Sequence, residues 1–348
     1  MELFGGLEAL PEPARRMLGG DGFFSTAAWW RAVWAAGVPD GATPLFALSG
    51  PAECGVVFAL LRTGDGGFAA LTNPYTCLYQ PAAAPGADLV AAGRALGRLG
   101  RTAGSLRLEA LDPDWPGLAP LLAGTRQAGL VPLRFAHFAN WHEDTAGRDW
   151  RGYLAARPGA LRETVRRRLR DAERDASLTF AVITAAGELP AAIAEYESVY
   201  ASSWKEPEPF PDFNAALMHQ AAAEGWLRLG VLRRAGQAIA VQLWIVRHGV
   251  AAVLKLAHDE AFKPLSPGTV LTAWMIRRLL ADEAVVSIDF GRGDDAYKRL
   301  WTASRRARIG VVLANPWRPA GLAMLLRHGA GLLRRKLRGG RPPPVVAQ

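Results

Sequence analysis

Three runs of strand-forming residues, 226–233, 237–247 and 250–258, are separated only by Arg234-Ala235-Gly236 and His248-Gly249. Connections that short leave room for hairpins and nothing else, so this stretch must fold as an antiparallel meander. A polar turn with His258, Asp259 and Glu260 then leads to Ser266-Pro267-Gly268. Here Ser266 is a suitable helix cap, Pro267 fits the first helical position, and Gly268 lets another group approach the backbone closely. The bare amides at such a helix start predict an anion seat, and phosphate esters are the usual occupants. Residues 285–290 form a short strand that breaks at Gly291-Arg292-Gly293, Asp294 is placed to cap a helix carrying Tyr297, Lys298 and Trp301, and 306–313 is a final strand.

The wording of this half is more specific than its element order. Lys255-Leu256-Ala257, Asp259, Phe262 and Ser266-Pro267-Gly268, then Asp289-Phe290-Gly291-Arg292-Gly293-Asp294 with Tyr297 and Lys298, resemble the FemAB-like, CelD (BcsL)-type acetyltransferases of the GNAT superfamily. The resemblance implies an α/β fold of two tandem GNAT-like (acyl-CoA N-acyltransferase) domains, each a mixed, mostly antiparallel sheet flanked by helices. Residues 203–213, Ser-Trp-Lys followed by a Pro-rich loop and Asp-Phe, resemble the same family and would cover the acceptor. Each proline there biases its predecessor to extended backbone.

The first half repeats the pattern. Strands at 45–49, 55–61 and 68–72 include an Asp65-Gly66-Gly67 turn and are followed by a helix at 89–99, a strand at 105–110, a helix at 115–128 and a strand at 130–138. Ahead of them, Ser25 or Thr26 can cap a helix in which Trp30 and Trp34 share a face. Asn73-Pro74-Tyr75-Thr76 is a turn, which the resemblance implies is a cleft-lining loop and which reads equally as a surface loop. With the boundary near 141–151, the expected domains are 1–145, 146–316 as the catalytic one, and a basic amphipathic helix with a disordered tail over 317–348.

Charge is informative about partners only in a general way. The net charge of +9 and a pI near 10.0 suit anionic partners, and an arginine-rich composition alone accounts for them equally. Arg162, Arg166, Arg170 and Arg174 lie four apart on a helix whose apolar face carries Leu161, Val165, Leu169 and Ala172. They form either a solvated face or a basic rim. Within 320–338, Leu322, Leu325, Leu326, Leu333 and Leu337 oppose Arg327, His328, Arg334, Arg335 and Arg338, the pattern of an interfacial helix on an anionic membrane and also of a docked terminal helix. The 66–87 run is too interrupted to span a bilayer, the N-terminus lacks a signal pattern, and Cys54 and Cys77 suggest neither a metal site nor a disulfide framework. The chain is expected in the cytoplasm, free or peripheral at the inner membrane.

Transfer of an acyl group from a thioester to an amine needs a neutral amine, an oxyanion donor and a proton for the leaving thiolate. No nucleophile elbow, HExxH or zinc-ligand spacing occurs, and none is needed. The catalytic candidates are Asp289 as base, Tyr297 as the proton donor that the resemblance implies, and Lys255, costly on its mid-sheet strand unless paired and so expected to meet Asp289, Asp259 or a substrate anion. Leu256, Ala257, Ser266, Pro267, Gly268 and Thr269 are the donor-binding candidates. Trp204, Lys205, Arg292, Asp294 and Lys298 are the substrate-binding ones, and no metal is expected.

The expected function is acetyl or other acyl transfer from an acyl-CoA cosubstrate, with no resident cofactor, to an amine such as an amino sugar in envelope or exopolysaccharide biosynthesis. The donor loop here departs from the general GNAT form R/Q-x-x-G-x-G/A. An aminoacyl-tRNA, as in the peptidoglycan Fem transferases, or an acyl carrier protein also suits the basic surface. A non-catalytic envelope-assembly factor is the further alternative, and DNA is not an expected partner.

Overall fold

The computed structural model describes residues 1–20, 22–103 and 105–337, with side chains over the same span except 329 and 331–337. The chain divides into two compact units, Met1–Ala139 with the return from Ala307, and Asn140–Arg306.

The first unit opens with β1 (Glu2–Phe4), α1 (Glu12–Met17) and α2 (Ala27–Ala36). Thr26 caps α2 by accepting from the Trp29 amide at 3.2 Å, and Trp34 stacks on Phe46 with ring centroids 5.3 Å apart. Then come β2 (Thr43–Ser49), β3 (Val56–Arg62), β4 (Phe68–Ala70), the short β5 (Ala82–Ala83), α3 (Leu89–Ala103), β6 (Leu106–Leu111), α4 (Leu118–Gln127) and β7 (Val131–Asp144). The loop after β4 is neither exposed nor loose. Thr76 and Tyr79 are fully buried, the Asn73 amide donates to the Gly37 carbonyl, and the Tyr79 hydroxyl donates to the Ala59 carbonyl.

The chain enters the second unit within β7. There follow α5 (Trp150–Ala155), α6 (Gly159–Arg174), β8 (Leu178–Ile183), α7 (Leu189–Ala201), α8 (Phe213–Ala223), β9 (Leu227–Arg234), β10 (Gln237–Arg247), β11 (Val250–His258), α9 (Pro267–Asp282), β12 (Ser287–Arg292) and α10 (Lys298–Trp301). It returns to the first unit along β13 (Ser304–Ala314) and ends the described region with α11 (Pro319–Leu337).

The fold is α/β, its sheet mixed, mostly antiparallel and flanked by helices. In the first unit the strand order is β1-β2-β3-β4-β6-β13, with only β4 and β6 parallel. In the second, β12, β11, β10, β9 and β8 lie in sequence beside residues 140–144 of β7, and only β11 and β12 are parallel. The predicted meander is β9-β10-β11. Its turns place Ala235 and Gly236, then His248 and Gly249, at positive φ, the geometry that matches the twist of two-residue hairpins.

The second unit's core is aliphatic. Leu161, Val165 and Leu169 of α6 meet Met275, Ile276 and Leu279 of α9 over Ile239, Trp244 and Val253 of the sheet. The four-spaced arginines of α6 lie off this face. Arg166, Arg170 and Arg174 are exposed, and Arg162 donates to the Ala155 carbonyl at 2.9 Å. A fully bonded charge network braces the same unit. Glu143 accepts from Arg157 at 2.5 Å, from Arg148 at 2.8 Å and from Thr302 at 2.7 Å, and the Tyr153 hydroxyl donates to the Trp301 carbonyl at 2.8 Å. Burial works against the Glu143 carboxylate, yet the bonds from Arg157 and Thr302 hold its pKa below the ordinary range.

Candidate functional site

The site is set up by a departure from regular pairing. β11 pairs with its parallel neighbour β12 only over Val250, Ala251 and Ala252, opposite Ser287, Ile288 and Asp289. On its other edge the register with β10 shifts between Leu243 and Trp244, so Lys255 faces Leu243 while Val253 faces Trp244. Leu254 is the extra residue, a bulge that turns the strand at the point where it parts from β12. Lys255, Leu256 and Ala257 therefore lie past the last rung shared with β12.

Charged groups converge beyond that point. The Lys255 ammonium donates to Glu208 Oε1 at 2.5 Å, and both side chains are largely buried. Glu208 comes from the Pro-rich segment after α7, whose extended backbone carries it back over the sheet. On the same segment Lys205 lies 5.7 Å from the Tyr200 ring centroid and 5.8 Å from that of Trp204. Burial, and then repulsion from Lys255, push the Lys205 amine down to about 8, and Glu208 and Asp295 only partly offset this. An amine with that pKa is neutral in a useful fraction near neutral pH. The Tyr200 hydroxyl donates weakly to the Glu206 carbonyl at 3.4 Å. Burial and the Glu208 carboxylate hold it protonated well above the usual phenol range.

A cavity of about 440 Å³ opens against this cluster, lined by Tyr200, Lys205 and Glu208 and by Glu197, Asp212 and the buried Asn214. Lys298 adds a third amine. It is 5% exposed, donates to the Arg292 carbonyl at 2.5 Å and pairs with Asp295 at 2.9 Å. Gly293, at φ +100°, makes the turn that brings the Arg292 carbonyl to it. Tyr297 is half-buried beside Lys298, and burial holds its phenol protonated above the usual range.

The other sequence candidates divide by place. Asp289 is held rather than open. Its Oδ1 accepts from the Asn140 side chain and the Gly291 amide, both at 2.7 Å, and its Oδ2 accepts from Arg306 at 2.8 Å. Asp294 pairs with Arg299 at 3.1 Å and does not cap a helix, because α10 begins only at Lys298 and is four residues long. Ser266 precedes α9 in the left-handed conformation, at φ 57°, and makes no side-chain cap bond. Pro267 does occupy the first position, and Thr269 lies in the first turn. The group that approaches Gly268 is His258, whose Nδ1 would sit 3.2 Å from a Cβ there. Burial lowers the His258 pKa, and its ring tilts against Trp204 at 4.5 Å. His258 thus packs between Trp204 and Gly268, and Lys205, Lys255, Glu208 and Lys298 form the charged group. Tyr200 and Glu208 were not read from the sequence. The Glu-Pro-Glu-Pro alternation was the available signal, but extended backbone alone does not say which carboxylate returns to the sheet.

A family model for acetyltransferase (GNAT) domains matches residues 159–299, which include β8 to β12 and the charged cluster. No curated protein matches the sequence. Among solved structures, FemX is similar at 10% identity over 90% of this chain and 98% of its own, with a TM-score of 0.59. The C-terminal domain of a protein described as a lysylphosphatidylglycerol synthetase from Agrobacterium fabrum is similar at 14% identity over 92% and 96%, with a TM-score of 0.58. L-PGS from Bacillus licheniformis is similar at 13% identity over 91% and 96%, with a TM-score of 0.56. At those identities the likeness is one of fold. The family model thus marks 159–299 as similar to a GNAT acetyltransferase domain, and the solved structures share the fold over most of the chain.

Proposed function

We propose that the second unit transfers an aminoacyl group from an ester carrier such as an aminoacyl-tRNA to an amine, for example that of an amino sugar in envelope assembly. The carrying observation is the Lys205 amine, held at about 8 beside Lys255 and Glu208 where β11 and β12 part. In the proposed step the acceptor nitrogen attacks the ester carbonyl, and Lys205 takes the proton that nitrogen loses. The carbon–oxygen bond to the carrier breaks, and Lys205 returns the proton to the departing alkoxide. Lys255, past the bulge, faces the oxyanion. Asp289, already bonded three times, positions the turn to Arg292.

Glu197 and Asp212 in the lining suit the free ammonium that an aminoacyl group carries and an acetyl group lacks. The family-model match to an acetyltransferase domain favours a second reading, acetyl transfer from a CoA thioester, with Ser266 to Thr269 as the donor seat and Tyr297 protonating the thiolate. Purified full-length chain with radiolabelled aminoacyl-tRNA and candidate amines decides between them. Acceptor-dependent discharge above the hydrolysis blank supports the first reading. Thiol release from acetyl-CoA with no discharge of tRNA replaces it with the second.

A further inference from the structure

The start of α11 leaves two of its leucines uncovered. Leu322 and Leu326, four apart and so on one face, are 49% and 66% exposed, and Trp317 just before the helix is 81% exposed. Met324, Arg327 and His328, on the other side of the helix, line a groove of about 340 Å³ in the first unit together with Arg134, Phe135 and Val312. Side chains of the remaining stripe, Leu333, Arg334, Arg335, Leu337 and Arg338, lie outside the described residues.

An exposed tryptophan next to an outward leucine pair is an unusual apolar surface. Its charge says what covers it. Among the described residues the groove's lining has no carboxylate, and α11 contains no Asp or Glu along its sequence. Glu109 on β6 is taken by Arg107 at 2.5 Å, and that arginine lies over the Phe135 ring at 4.8 Å. A second copy of this face would set arginine against arginine. Tryptophan with leucine beside unopposed arginine is the combination that suits a bilayer interface.

We propose that Trp317, Leu322 and Leu326 enter the anionic surface of a phospholipid bilayer while Arg134 and Arg327 hold lipid phosphates at the groove. This surface belongs to the first unit and is independent of the transfer chemistry.

Sedimentation of the full-length chain with phosphatidylcholine vesicles, with and without phosphatidylglycerol, tests it. Binding is expected only to the anionic vesicles and should fall as salt rises. Reversing charge in Arg134→Glu with Arg327→Glu lowers partitioning by about tenfold or more. Trp317→Ser with Leu326→Ser lowers it severalfold, and both pairs keep the wild-type melting temperature. Arg134→Lys with Arg327→Lys retains binding. Equal partitioning of either disruptive pair overturns the proposal, as does equal binding to neutral vesicles. Light scattering that finds a dimer dissolved by the same substitutions assigns the face to a second copy instead.

Discussion

Two clusters of buried charge lie in the second unit, and they treat charge in different ways. Around Glu143 every strong acceptor is met by Arg157, Arg148 or Thr302, so the carboxylate is more acidic than usual despite its burial. Around Lys205 the count goes against the cation. Burial disfavours it first, Lys255 and Lys298 repel it, Glu208 is already committed to Lys255, and the amine is pushed well below its ordinary range. A satisfied network fixes the fold, whereas an under-compensated one stores a poised proton at the edge of a cavity.

The comparison predicts opposite responses to losing a cation. Arg157→Met leaves Glu143 buried without its main partner and should cost ~3–5 kcal/mol of stability, read by denaturant melts. A loss under ~1 kcal/mol would show that the network is ornamental. Lys205→Met should instead stabilise the chain by ~1 kcal/mol at neutral pH while lowering transfer about 100-fold or more. The sign follows from linkage. A lysine with a depressed folded pKa makes the unfolded state the better proton binder between about 8 and its ordinary value near ~10.4, so wild-type stability rises with pH across that window. The variant should lack that rise. Destabilisation at neutral pH would return Lys205 to the satisfied class.

A subtler test removes the shared anion. Glu208 raises the Lys205 pKa, so Glu208→Gln should move the alkaline-rising limb of the pH–rate profile to lower pH, by roughly one unit or less. A limb that stays in place or moves up breaks the link between the two residues. The smallest expected effect is at the helix start. Ser266 makes no cap bond and sits at φ 57°, so Ser266→Gly should gain ~0.5–1 kcal/mol in thermal melts. A loss there would show that the Ser266 side chain stabilises the fold despite its left-handed backbone.

Local signals made much of this architecture readable. Ala235-Gly236 and His248-Gly249 announced the meander, and Pro267 marked the start of α9, because turn and helix-start chemistry is written in adjacent residues. Thr26 was one of two equal candidates until the Trp29 amide chose it. In the sequence Lys205 and Lys298 read as separate substrate contacts and Lys255 as a catalytic candidate. Their mutual repulsion exists only after the Pro-rich loop, β11 and α10 meet. Arg157 sits in an arginine-rich stretch that reads as surface, and only the distant Glu143 and Trp301 make it a buried brace. The parting of β11 from β12 likewise depends on a bulge against β10 that no local pattern in Val250–His258 specifies.

The central claim is that the second unit holds a lysine amine poised to exchange protons near neutral pH. Titration of ¹³C-labelled lysine side chains by NMR, with Lys205 assigned by its disappearance in Lys205→Met, measures this directly. The account predicts a midpoint near 8 for that resonance, moving lower in Glu208→Gln. A Lys205 midpoint at the ordinary lysine value of ~10.4, unchanged by loss of Glu208, would contradict it.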